Sequence, residues 1–150
     1  MSKAEALAQV DAARQELLSA LDGVSEDEAG RPIAGGWTLK ELLGHVVGWD
    51  NNYADRLTEI AAGRESIPDE ENVDAENQSF SEMYGDAPLS EVVERVRDGA
   101  VRRRQALDAL SEDHFRPEAL GWLIAEGGAG HHREHAADIM TWRRGAPPQA

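Results

Sequence analysis

The stretch TLKELLGHVVGWDNNYADRLTEIAAG, residues 38–63, reads as one complete helix. Thr38 and Glu41, three residues apart, form a capping box, in which each side chain satisfies a backbone N–H that the first helical turn leaves open. Leu39, Leu43, Val46, Tyr53, Leu57 and Ile60 recur at helical spacing as an apolar stripe, and Gly63 is the stop. Two polar residues intrude. Asp50 sits within the stripe, and His45 lies on its border with Trp49 one turn on. A helix with one apolar stripe has to bury it against partners, so the rest of the chain must supply them.

Three further stretches have the same period. Leu7, Val10, Leu17 and Leu21 mark a first helix, with alanine-rich filling. Leu89, Val92, Val93, Val96, Ala100, Leu107 and Leu110 mark a third. A fourth runs from Gly121 to Trp142 and ends at Arg143, Arg144 and Gly145, before Pro147 and Pro148. No stretch alternates as a strand does. Four helices in 150 residues predict an all-α four-helix bundle forming a single domain, residues 1–150.

Two connections look alike. LDGVSEDEAGRPIAGGW follows the first helix, and LDALSEDHFRPEALGW follows the third. Ser25, Arg31, Pro32, Gly36 and Trp37 find counterparts in Ser111, Arg116, Pro117, Gly121 and Trp122. Two readings stand. Both are ordinary capped turns, or the chain repeats an αα-hairpin about a pseudo-two-fold. The joint between the halves, residues 64–88, is long and reads as irregular. It holds Glu65, Asp69, Glu70, Glu71, Asp74, Glu76, Glu82 and Asp86 against the lone Arg64. A connection this long permits a crossover that leaves the second and third helices parallel. Phe80, Met83 and Tyr84 are expected to pin it to the bundle.

Composition narrows the chemistry. Lys and Arg number 15 against 29 Asp and Glu, a formal charge of −14. Such a surface repels phosphate backbones and anionic lipid, so neither nucleic acid nor membrane is an expected partner. Cysteine is absent, which removes disulfides, thiolate metal sites and a cysteine nucleophile. Metal chemistry must then use His, Asp or Glu. The N-terminus has no apolar signal core, and no apolar run approaches the roughly 18 residues of a membrane span. A cytoplasmic protein is expected.

The informative histidines lie in GHHREH, residues 130–135. His131 and His135 are four apart, share a helix face and can reach one ion. His132 and His135 are a less comfortable pair. Solvent-facing or capping histidines are the ordinary alternative. Three features favour the metal. The face continues through Ile124, Gly127, Gly128, His131, His135, Asp138 and Trp142, which aims it inward, where unpaired polar groups are costly. Asp138 lies three residues after His135, placed to orient its ring. The alike connections put His45 opposite His131. Gly127, Gly128 and Gly130 mark either a helix break or a close backbone approach. Three imidazoles leave open positions on an ion, as catalytic sites do, and nitrogen ligands suit Zn, Ni, Cu or Fe.

GGWTLKELLGHVVGWD (35–50) and GHHREHAADIMTWR (130–143) resemble the two signature regions of the DinB-like superfamily of metal-binding four-helix bundles. That superfamily includes the bacillithiol and mycothiol S-transferase-like proteins and the metal-dependent maleylpyruvate isomerases. Its pattern is a Trp-led second helix with one His, then a fourth helix with H-x-x-x-H and a Trp. The resemblance covers nearly the whole chain. It implies an up-down-down-up bundle, a homodimer, and a divalent metal, nickel or zinc above all, on His45, His131 and His135. His132 stands where relatives often carry an aromatic residue and is implied not to be a ligand.

The first functional reading is therefore a metal-dependent enzyme, a transferase or hydrolase, acting on a small molecule. Thiol S-transfer or detoxification is favoured, with a metal-activated thiolate or water and Asp138 as the orienting group of the catalytic site. Any low-molecular-weight thiol cofactor must come from outside, because the chain has none. The alternatives are a non-catalytic, resistance-type bundle that binds or sequesters a small molecule, and a structural bundle with hydrogen-bonded histidines. Asp50, Arg14 and Arg103 read as an ion pair near the core or as a site for a substrate carboxylate. Arg102, Arg103 and Arg104 read as a solvated face answering the acidic crossover. His114 is expected at the surface. The four tryptophans are core and cap residues, with Trp49 a possible cleft wall.

Overall fold

The structure, a computed structural model, describes residues 2–33, 36–64, 73–116 and 129–145. Its helices are α1 (Lys3–Leu21), α2 (Glu26–Ala29), α3 (Leu39–Ala61), α4 (Val73–Glu82), α5 (Leu89–Asp108) and α6 (His131–Arg143), with a 3₁₀ turn at Glu112–Phe115. The described residues contain no strand, only an isolated bridge between Pro32 and Thr38. The four longest helices α1, α3, α5 and α6 include the four expected from the stripes. The first part of the expected fourth helix, with Trp122, Ile124, Gly127 and Gly128, lies outside the described residues, as do Pro117 and Gly121 of the second alike connection.

Local chemistry sets the helix starts. Ser2 with Glu5, Ser25 with Glu28, and Thr38 with Glu41 each form a reciprocal capping box. Pro88 offers α5 no side-chain cap. Glu26 does the work from a distance, its Oε1 accepting from Leu89 N at 2.8 Å while Oε2 meets Lys40 at 2.7 Å. The short α2 thus ties the starts of α3 and α5 together.

Side-chain pairs give the helix directions. Along α3 and α5, Asp50 meets Arg103 and Leu57 packs with Leu107, while Lys40 reaches Ala87 just before α5, so the two helices run parallel. Asp11 meets Arg104 and Lys3 meets Asp108, so α1 and α5 run antiparallel. Arg143 donates to the Ala20 carbonyl at 2.9 Å and Arg133 faces Glu16, so α1 and α6 run parallel. This is up-down-down-up. Among the described residues the main helix contacts are α3–α5, α3–α4, α1–α6 and α1–α5, with α3–α6 smaller. Among the described residues, α1 packs on α5 and α6 and α3 packs on α5, so the two halves interleave.

Three sequence expectations are corrected. The crossover is not irregular throughout, since α4 forms within it and packs on α3. Phe80 and Tyr84 pack inward, but Met83 is 49% exposed and pins nothing. The arginine run does not answer the described part of the crossover. Arg102 bonds Asn51 and Asp55 on α3, Arg103 is fully buried, and Arg104 pairs with Asp11 on α1. Three consecutive helical positions point some 100° apart, so they meet three different neighbours. Of the crossover acids, Glu65, Asp69, Glu70 and Glu71 lie outside the described residues.

Candidate metal centre

α3 and α6 meet at their histidines. His45 Nε2 stands 2.9 Å from His131 Nε2, which stands 3.0 Å from His135 Nε2. All three nitrogens lie within 4.8 Å of one another, and all three residues are buried. The helical spacing delivers two of them. His131 and His135, one turn apart on α6, turn the same face to α3. Trp37, just before α3, lies against the His45 ring with centroids 5.0 Å apart. His135 is oriented from behind, its Nδ1 3.1 Å from Asp138 Oδ2.

Hydrogen bonds cannot satisfy this arrangement. An imidazole nitrogen carries either one proton or one lone pair, so His131 Nε2 serves one of its two neighbours and not both. A cation at the shared point would use all three lone pairs. Ligands about 2.0–2.1 Å from a zinc-like ion stand about 3.3 Å apart, and two of the three spacings here, 2.9 and 3.0 Å, are near that value. The rings also hold the protonation state that binding needs. Burial pushes His45 down to about 4, with His135 adding to the effect and Asn77 and Asp50 partly opposing it. Burial pushes His131 well below the usual histidine range, with the charges of His135 and His45 next in importance. The donor set therefore fits a divalent ion.

His132 faces elsewhere. Its Nε2 lies 2.8 Å from Asp50 Oδ2, and Arg103 donates to Asp50 Oδ1 at 2.6 Å. All three side chains are fully buried. The expected core ion pair is thus Asp50 with Arg103, and His132 completes it. Arg14 takes no part in it and pairs on the surface with Asp11. Gly99 of α5 lies against Asp50, where an added Cβ would stand 3.4 Å from Asp50 Cβ, at ordinary contact distance. His114 is half-buried rather than exposed, its Nδ1 3.0 Å from Ser111 Oγ.

Sequence reading missed one neighbour altogether. Asn77 of α4 accepts from Trp49 Nε1 at 2.6 Å and lies beside His45. Trp49 packs against Tyr53 and Phe80, so it is part of the α3–α4 contact. The only signal for Asn77 was a short i, i+4, i+7 pattern, Val73, Asn77 and Phe80, inside an acidic tract.

The sequence profile of the DinB superfamily matches residues 9–141. The chain belongs to the DinB superfamily. Comparison with the curated proteins gives no match. Among solved structures, this DinB chain is similar to the sibling lethal factor precursor DfsB, with 21% identity, a TM-score of 0.82, and 100% of this chain and 99% of the other covered. It is similar to the colibactin self-resistance protein ClbS, solved in complex with double-stranded DNA, with 16% identity, a TM-score of 0.81 and 95% and 96% coverage. A protein from Streptococcus pneumoniae matches at 17% identity and a TM-score of 0.77, with 96% and 91% coverage. These identities speak for the fold. Because ClbS holds DNA, the fold alone does not exclude a nucleic-acid partner, and the expectation of none rests on this chain's charge. No helix among the described residues is long and apolar enough to cross a membrane.

Proposed function

We propose that this DinB protein is a metal-dependent catalyst acting on a small molecule at His45, His131 and His135. One observation carries the reading: three buried imidazole nitrogens converge on a point that hydrogen bonding cannot satisfy. A divalent ion held by three imidazoles keeps an open position and acidifies a water or thiol placed there. The chain's own residues supply the rest. Burial keeps His45 and His131 neutral and able to donate lone pairs. Asp138 steadies the His135 ring. Trp37 shields one side of His45. No cysteine competes for the ion or attacks the substrate, so a thiol reaction would need a soluble thiol. Transfer to such a thiol, or hydrolysis, is the reaction class that this donor set suits. Nickel and zinc both accept it.

The second reading is sequestration without turnover, favoured by the likeness in fold to ClbS, a self-resistance protein. Metal analysis of protein purified without a histidine tag tests the first. Stoichiometric metal in the unchanged chain, lost in His131→Ala and His135→Ala, is the expected result. Metal content unaffected by either substitution overturns it. A small-molecule ligand held tightly in the presence of a chelator, with no product formed, selects the second.

A further inference from the structure

Helix α4 is seated on α3 by two fitted contacts. A Cβ on Gly48 would stand 2.1 Å from Phe80 Cγ, and one on Gly44 would stand 2.5 Å from the Phe80 carbonyl oxygen. The two glycines therefore make the notch that Phe80 fills. About one turn earlier, Asn77 Oδ1 accepts from Trp49 Nε1. An indole nitrogen only donates, so chemistry itself assigns the amide, oxygen toward Trp49. That oxygen has a second lone pair. Trp49 follows His45 by four residues, so both rings project from one face of α3. Through its bond to Trp49, Asn77 is held one helical turn along α3 from His45, though no Asn77–His45 hydrogen bond is formed in this structure.

His45 needs such a neighbour. Its Nε2 faces His131, and a neutral ring that turns its Nε2 lone pair inward carries its proton on Nδ1. His45 Nδ1 is buried and has no hydrogen-bond partner among the described residues. His135 meets the same need with Asp138. Outer acceptors of this kind fix ring orientation and tautomer in histidine metal sites.

We propose that Asn77 is the positioning residue of His45: held by Trp49, its amide oxygen accepts the Nδ1 proton and fixes the ring with Nε2 aimed at His131 and His135. α4 is then a working part of the centre rather than packing alone. The affinity half of this inference rests on the metal reading above; the tautomer half does not.

The test compares the unchanged chain with Asn77→Leu, which keeps the volume and removes the acceptor, and Asn77→Asp, which keeps an acceptor. In metal-free protein, ¹⁵N–¹H correlation spectra of His45 are expected to show the Nδ1–H tautomer in the unchanged chain and in Asn77→Asp, and a shift toward Nε2–H in Asn77→Leu. Cobalt(II) titration against a chelator is expected to give about 10- to 100-fold weaker binding in Asn77→Leu, with the loss largely restored in Asn77→Asp. Thermal unfolding of the metal-free variants separates this from a loss of fold. The same tautomer and affinity in Asn77→Leu as in the unchanged chain overturns the proposal. So does an Asn77→Asp variant as weak as Asn77→Leu. If the unchanged chain binds no cobalt, the metal reading falls, and the tautomer alone decides the role of Asn77.

Discussion

His131 and His132 are neighbours in sequence, yet they belong to two opposite kinds of buried polar cluster. His132 meets a carboxylate that also holds a guanidinium, with Asp50 between them. That cluster carries its own countercharge, and the α3–α5–α6 junction is built around it. His131 meets only other imidazoles through its Nε2. That cluster holds no countercharge at its centre, and the proposed cation is what would complete it. A buried histidine is thus read by what it faces, and a turn of about 100° about the helix axis separates the charge-paired His132 from the proposed ligand His131.

Breaking the first cluster should cost the most. Asp50→Ala leaves Arg103 and His132 buried without their shared acceptor, and a loss of about 3–5 kcal/mol is expected by urea unfolding. His131→Ala should do the reverse, abolishing metal binding while leaving metal-free stability close to that of the unchanged chain. If Asp50→Ala unfolds at the same urea concentration as the unchanged chain, the contrast fails.

Acid sharpens the comparison. Folded His45 titrates near 4 against an ordinary value of 6.5, so between these values the unfolded chain holds the extra proton. Stability of the metal-free protein is therefore full above pH 6.5 and falls as the pH drops toward 4, by at most about 1.4 kcal/mol per unit for this group. Unfolding midpoints at pH 7.5 and pH 5 measure it. A midpoint that is unchanged or higher at pH 5 would contradict the burial of neutral imidazoles.

Asp138→Ala touches only the outer partner of one ligand. A 10- to 100-fold loss of metal affinity is expected, read by chelator competition, with no change in metal stoichiometry at saturating ion. The smallest effect belongs to Arg14→Ala. Its ion pair with Asp11 is on the surface, so the change should stay within about 0.5 kcal/mol. A larger loss would mean that Arg14 supports the core charges after all.

Much of this was legible in residue order. Thr38, Glu41 and the stripe from Leu39 to Ile60 are local signals, and the helix formed where they placed it. His45, His131 and His135 were legible because a four-residue spacing and a Trp-led helix are local patterns too. The partners of Asp50 were legible only in part. Charge made a buried partner necessary, but nothing in the order of residues distinguished Arg14 from Arg103. The difference is a matter of which helix face meets α3. Asn77 was hidden for a related reason. Its tract is acidic and has few apolar residues, and α4 is held by a notch at Gly44 and Gly48 that lies about thirty residues away in sequence.

The sequence by itself determined the four long helices, the Thr38–Glu41 cap, the absence of any thiol and the three inward histidines, because each depends on residues within a turn or two of one another. Tertiary structure alone decided that the halves interleave, that His132 joins Asp50 and Arg103, and that α4 brings Asn77 to Trp49. Those outcomes depend on which faces meet across the bundle, and packing between distant segments selects them.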